Sequence, residues 1–426
     1  MKLKIQNLAF FIPFLFSSPA MAQIEPDSLL KMENEKVIGI FNGVNRNSNS
    51  ALKWGAFTGS VYFDGYLNLN AARPKDNTQT ASATLGRCNE FDISLISIGG
   101  KFQEERAWGA VYLQAGNMTN VVHELDPSVN RGWNSGATEL EFVREAYAGF
   151  YLSKDKKWST EMGIFNSYIG AESYLVQENW SYQRSMVSDL TPFYFQGAKL
   201  IFSPKSNESH EIWLMNGWQA YHRIGKALGV GFVNSWVLND RLKFSANGYV
   251  GTDSRTQTGA SSSVLRWHHD HSLQYLWKNH GIAINNHLGI QQGDLATGIS
   301  KGTFWGSSIS HRIFFKSAAL TQRVDAISNP GLYLAWNPVP LYPESFYFYN
   351  NNVKMIQGTL TYDRFISNAV TFRSELLYRR ADRPYFVSRD GTTSPNGWID
   401  DPSKILWYPQ LKRNELRLMF AVNFRL

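Results

Sequence analysis

The sequence predicts an all-β fold, a transmembrane antiparallel β-barrel of about 16 strands, an even number, with short periplasmic turns and long extracellular loops. Three observations predict it. Apolar residues recur at every second position in segments longer than ordinary soluble strands. The connections between those segments alternate between short and long. The two ends of the 426-residue chain read as an export signal and a closing strand.

The closing strand comes first in the argument. From Glu415 the sequence is ELRLMFAVNFRL. Leu416, Leu418, Phe420, Val422, Phe424 and Leu426 share one face. Arg417, Ala421, Asn423 and Arg425 share the other, with Met419 the apolar exception. Period two marks a strand. So apolar a strand at a terminus suits a barrel, where the last strand pairs with the first and its outer face meets lipid. Such barrels usually end in an aromatic residue, and Leu426 departs from that. The competing reading of this stretch alone is the last strand of a soluble sandwich. In a barrel, Leu416 to Leu426 is also the segment expected to engage the outer-membrane assembly machinery.

At the other end, Lys2 and Lys4 precede an apolar run from Leu8 to Phe16, and Ala20-Met21-Ala22 forms a small-x-small cleavage site. This pattern reads as a secretory signal peptide over 1–22, cleaved after Ala22, and is too short to be a membrane helix. Residues 23–53 are polar and broken, a short periplasmic lead-in, and the barrel is expected over 54–426. Aromatic residues make up 14% of the chain while mean hydropathy is only −0.31. That pairing is expected where lipid-facing and water-facing residues alternate. The single cysteine, Cys88, excludes an internal disulfide. The net charge of +7 comes without a Lys/Arg run, so nucleic acid is not an expected partner.

Taken in order, the first strand opens at Trp54 and carries the cleanest alternation. Phe57, Val61, Phe63, Leu67 and Leu69 alternate with Thr58, Ser60, Tyr62, Asp64, Tyr66, Asn68 and Asn70. The same period places strands near 91–103, 107–117, 141–152, 158–166, 194–203, 210–219, 227–236, 241–252, 262–277, 281–292, 304–314, 318–328, 353–364, 368–381 and 415–426. Short gaps follow at 103–106, 154–157, 204–209, 237–240, 278–280, 315–317 and 365–368. Long or intermediate ones lie at 72–90, 118–140, 167–193, 220–226, 253–261, 293–303, 329–352 and 382–414. Bacterial barrels have this asymmetry, and an even strand number puts both termini on the periplasmic side. Trp54, Trp108, Trp158, Trp213, Trp236, Trp267, Trp277 and Trp305 fall near strand ends and are expected to form interfacial girdles.

The non-lipid face should line a polar lumen with both signs of charge, including Asp64, Tyr66, Glu145, Glu161, Lys199, Glu211, Arg323, Arg373, Glu375, Arg379 and Arg417. The arginines of the late strands either favour anions or pair with Asp325, Asp363, Glu375 and Glu415 and stiffen the wall. Inward Tyr62, Tyr66, Tyr112, Tyr147 and Tyr249 either stack on sugar rings or simply pack. In WHHDH (267–271), His268 and Asp270 share one face and His269 and His271 the other. Only pairs converge, so no metal site is expected, and no cofactor. No G-x-S-x-G, P-loop or H-E-x-x-H occurs, and the adjacent Ser310 and His311 face opposite ways. No enzyme is expected.

Several stretches resemble the OmpL-like outer-membrane barrels, the β-barrel porin-2 family. FDGYLNLN is similar to that family's opening strand, and residues 89–116 to its second and third. The most specific block runs over 162–202, with Gly163, Phe165, Ile169, Gly170, Glu172, Asn179, Trp180, Tyr182, Arg184, Ser185, Pro192, Phe193, Tyr194 and Gly197 matching the family's pattern. MNGW (215–218) follows, and Arg373, Glu375 and Arg379 match an Arg-x-Glu-x-x-x-Arg strand. Leu426 replaces the usual final Phe. The resemblance implies an outer-membrane porin, a passive diffusion channel for small hydrophilic solutes such as sugars or small anions, and is compatible with a homo-oligomer. In porins one long loop often folds into the lumen, which would make Glu172, Trp180, Tyr182 and Arg184 the lining of a constriction; the competing reading of this loop is an extracellular cap with no role in selectivity. The late-strand arginines and the net positive charge predict a weak anion preference, with Arg184 on this loop its best-placed carrier. The alternative is a sealed outer-membrane barrel that acts as a binding or adhesion scaffold through its long loops.

Overall fold

The computed structural model describes residues 52–123, 126, 128, 140–223, 225–254, 263–292, 301–329, 353–389 and 411–426. The expected signal peptide and nearly all of the lead-in lie outside these residues, as do most of the loops 329–352 and 382–414.

Sixteen long strands close into a single antiparallel barrel among the described residues. They are β1 (Phe57–Asn70), β2 (Phe91–Gln103), β3 (Ala107–Ala115), β4 (Val143–Tyr151), β5 (Trp158–Asn166), β6 (Tyr194–Lys205), β7 (Glu208–Met215) and β8 (Gly229–Asn239). The second half holds β9 (Leu242–Ser254), β10 (Ser263–Trp277), β11 (His280–Gln291), β12 (Gly302–Phe315), β13 (Ala318–Asn329), β14 (Val353–Phe365), β15 (Val370–Ala381) and β16 (Asn414–Arg425). Each strand pairs with its neighbours in sequence, and β16 pairs with β1 from Arg417↔Asn70 to Arg425↔Tyr62. Closure removes both sheet edges, so the strands satisfy one another's backbone groups without water, as a membrane interior demands. Every expected strand is present.

The alternation of burial follows the sequence. On β1, Tyr62, Asp64, Tyr66, Asn68 and Asn70 are buried inside, whereas Leu69 and Phe57 are exposed on the outer face. On β16, Glu415, Arg417, Met419, Ala421 and Asn423 are buried and Leu416, Leu418 and Val422 exposed. These outer apolar residues meet lipid. Trp54, Trp158, Trp267 and Trp305 lie on that exposed face, consistent with a girdle. Two of the expected girdle residues do not. Trp213 is buried and its indole nitrogen donates to Glu211. Trp108 donates to Glu161 at 2.6 Å. Both share strand parity with inward residues, and parity rather than distance from a strand end decides which way a side chain points.

One bulge matters for the lumen. The β3–β4 register shifts between Tyr112 and Leu113, leaving Arg144 as the extra residue between Val143 and Glu145. The bulge brings Arg144 beside Glu145 at 3.1 Å, with its guanidinium 4.5 Å above the Tyr112 ring.

A charge on the outer face tests the membrane assignment. Leu418→Arg should lower the unfolding free energy by about 2–4 kcal/mol, the cost of an arginine near the bilayer midplane. Urea titration of barrels folded into phospholipid vesicles reads this. An unmoved midpoint would mean that this face does not meet lipid.

Candidate functional site

The connection 167–193 between β5 and β6 runs into the barrel. It turns at Gly170, whose φ of +85° favours glycine, with Ser188 Oγ and Thr191 Oγ1 3.2 Å from where a Cβ would stand. After a 3₁₀ turn (Val176–Glu178) it reaches a helical turn (Met186–Asp189), where the Ser185 side chain accepts from the Ser188 amide. The segment braces itself. Glu172 accepts from the Ser185 amide at 2.7 Å and hydroxyl at 2.6 Å. Asn179 bonds both ways with the Ser173 backbone, at 2.7 and 3.0 Å.

The wall then grips it by its backbone. Arg312 on β12 donates to the Trp180 carbonyl at 2.9 Å. Arg323 on β13 reaches the Gln183 and Arg184 carbonyls at 2.7 and 3.2 Å. Arg373 on β15 reaches those of Val176 and Asn179, both at 2.6 Å. From the other sign, Glu375 accepts the Tyr182 and Gln183 amides at 2.6 and 2.9 Å. The Tyr182 hydroxyl donates to Asp64 at 3.0 Å. Each cation has a carboxylate partner in the wall. Asp363 lies 2.8 Å from Arg312 and 2.7 Å from Arg373, and Asp325 lies 3.0 Å from Arg323. Glu415 takes Arg379 at 2.6 Å and Arg417 at 3.3 Å. Paired charge and satisfied carbonyls make burial of these arginines tolerable.

Other connections also enter. Arg379 donates to the carbonyls of Thr80 and Ala81, and Gln79 bonds Glu415 and Asn70. Ser82 bonds Gln183, and the Ala83 amide bonds Asp189, so the two inward segments join. A helix, α1 (Asn117–His123), places His123 in a stack with Tyr194 and Tyr221. Burial holds that imidazole below its ordinary pKa. Sequence reasoning expected one inward loop, whereas 79–88, α1 and 216–221 also fill the interior. The apolar residues Ala81, Ala83, Leu85, Met118 and Val122 were the available signal.

Glu172, Trp180, Tyr182 and Arg184 therefore lie on the inward segment, but packed against other protein groups. Trp180 and Tyr182 are buried, and Arg184 lies 4.2 Å above the Phe193 ring with its NH2 group near the Glu172 carbonyl. Among the wall residues, Arg323, Arg373, Arg379 and Arg417 expose at most 2% of their side chains, against 12–18% for Glu145, Glu161, Lys199 and Glu211 on β4–β7. Asp64, Tyr66 and Glu375 are equally sealed. The late-strand arginines thus form the paired wall, not a free basic surface.

What remains accessible inside follows β3–β8. Lys199 sits 3.0 Å from Glu161 and 3.5 Å from Glu211. Glu178 on the inward segment pairs with Arg425 near the periplasmic end of β16. Tyr112 and Tyr147 are partly exposed here, whereas Tyr62, Tyr66 and Tyr249 are buried. On β10 and β11 the expectation that only pairs of ligands converge fails. Asp270 stands opposite His287, and His268, Asp270 and His287 place their ligand atoms within 4.8 Å of one another. Periodicity within one strand cannot show a partner contributed by the next.

The family described as "Putative beta-barrel porin-2, OmpL-like" matches residues 56–425. An anion-selective porin from Comamonas acidovorans superposes with TM-score 0.54 at 9% identity, covering 87% of this chain and 99% of that one. OmpT of Vibrio cholerae gives 0.51 at 9%, covering 88% and 99%. OprB of Pseudomonas putida gives 0.50 at 12%, covering 87% and 94%. At such identities the likeness is one of fold. No curated protein matches the chain.

The grip of the wall on the inward segment is testable. Arg373→Ala removes donors from Val176 and Asn179 and should cost about 3–5 kcal/mol, as breaking a buried ion pair does. Trypsin should then cut after Arg184, which the native barrel shields. An uncut segment with an unchanged unfolding midpoint would show that Arg373 does not hold it.

Proposed function

The chain belongs to the OmpL-like β-barrel porin-2 family and is an outer-membrane porin, and on that premise we propose that it passes small hydrophilic solutes passively along the β3–β8 side of its lumen. The observation that carries this reading is the contrast in exposure within one barrel. The late-strand wall is packed against the inward segments, while Glu145, Glu161, Lys199 and Glu211 keep part of their side chains exposed. A barrel of 16 strands is wide enough to hold an aqueous channel.

The charge along this path sets the expected selectivity. Glu145, Glu161, Glu178 and Glu211 face it, against Lys199 and Arg425, with Arg144 more deeply set. Carboxylates outnumber cations, so a weak preference for cations replaces the weak anion preference expected from the late-strand arginines. Opposite charges in contact cancel most of their field beyond a Debye length of about 8 Å, which keeps the preference small. Partly exposed Tyr147, and the face of Tyr112 that Arg144 leaves uncovered, are the aromatic surfaces available to a sugar ring. Residues 1–22 would direct export, with cleavage after Ala22. The inward filling by 79–88 and 167–193 favours the second reading, a sealed scaffold, over any wide pore.

Planar-bilayer recording separates these readings. The porin should give stepwise, ohmic conductance; a stably inserted barrel that conducts nothing would support the scaffold instead. Under a KCl gradient, Glu161→Gln with Glu211→Gln should shift the reversal potential towards anions. No shift would mean that ions do not pass beside β5–β7.

A further inference from the structure

We infer that His268, Asp270 and His287 form a binding site for one divalent transition-metal ion, of the zinc type, on the inner wall of β10 and β11. Asp270 and His287 are direct cross-strand partners, and His268 lies two residues along from Asp270 on the same inward face. All three side chains are buried. His268 Nε2 and His287 Nδ1 are 2.9 Å apart. Two imidazole nitrogens bound to one zinc ion at about 2.0–2.1 Å stand roughly 2.9–3.4 Å apart, so this spacing suits chelation as well as a ring–ring hydrogen bond.

Independent observations point to a ligand. Asp270 Oδ1 is buried without a hydrogen-bond partner. A buried carboxylate oxygen beside two converging imidazoles is a position an ion would satisfy. The other carboxylate oxygen of Asp270 is held by the Asn247 amide at 3.0 Å. That contact orients Oδ1, as outer partners of metal ligands commonly do. Trp218 and Phe304 cover His268, with ring centroids 5.1 and 6.4 Å away. Two imidazoles and one carboxylate form a donor set that suits zinc. Arg266, the next inward residue along β10, opposes a cation, but Asp253 lies 3.7 Å from it and offsets its charge.

The test uses the detergent-purified, tag-free barrel, stripped with chelator, loaded with Zn²⁺ and desalted before elemental analysis. About one zinc ion per folded chain is expected, as for a three-residue site of this donor set. Co²⁺ should give visible d–d bands that Zn²⁺ displaces. His287→Ala and Asp270→Asn should each weaken binding at least tenfold, while His269→Ala, on the outer face, should not. The heat-shifted gel mobility of each variant reports whether it is folded. Native barrel that retains no zinc overturns the inference, whatever the variants do. So does binding that both inward variants leave intact and His269→Ala abolishes.

Discussion

The structure depends on a set of buried arginines that serve two partners at once. Arg312, Arg323, Arg373 and Arg379 each face a wall carboxylate and a backbone carbonyl of an inward segment. A guanidinium has five donors in a fixed fork, enough for both. Removing either partner would leave buried charge or buried carbonyls unsatisfied, which is costly. The pairs need not add net stability over an apolar wall. Their consequence is positional, because a connection that crosses the lumen must have its peptide groups satisfied somewhere.

This grip makes the lumen asymmetric. The inward segments are drawn to β12–β16 and β1, where Asp64, Glu375 and Glu415 complete the contacts. The opposite wall gets fewer of them. There the strands are short, with nine residues each in β3, β4 and β5, and the inward charges stay partly exposed. Close approach is also built into that wall. At Gly163, φ is +148° and a Cβ would stand 2.0 Å from the Ala146 carbonyl. A side chain there would push β4 and β5 apart.

The strands were legible because lipid on one face and polar groups on the other force a period of two. Closure was legible too, since β16 could be recognised as a strand with nothing soluble to cover its outer face. The inward segments were only half legible. The family pattern around Gly170, Glu172 and Arg184 pointed to one, but nothing in a strand's own period shows which carbonyl an arginine will meet across the barrel. For the same reason Arg373 could be placed on the lumen face but not assigned to Val176 and Asn179. His287 was invisible as a companion of His268 until the register of β10 against β11 was known. Trp213 shows the converse error, where position along the strand was weighed above parity.

The most direct measurement of the central claim is hydrogen exchange at the Tyr182 and Gln183 amides, the two that Glu375 accepts. If the wall holds the inward segment, these amides should be protected to within about tenfold of the neighbouring strand amides, because they open only with the barrel. Exchange as fast as that of an exposed loop, in a barrel whose strand amides remain protected, would contradict the account.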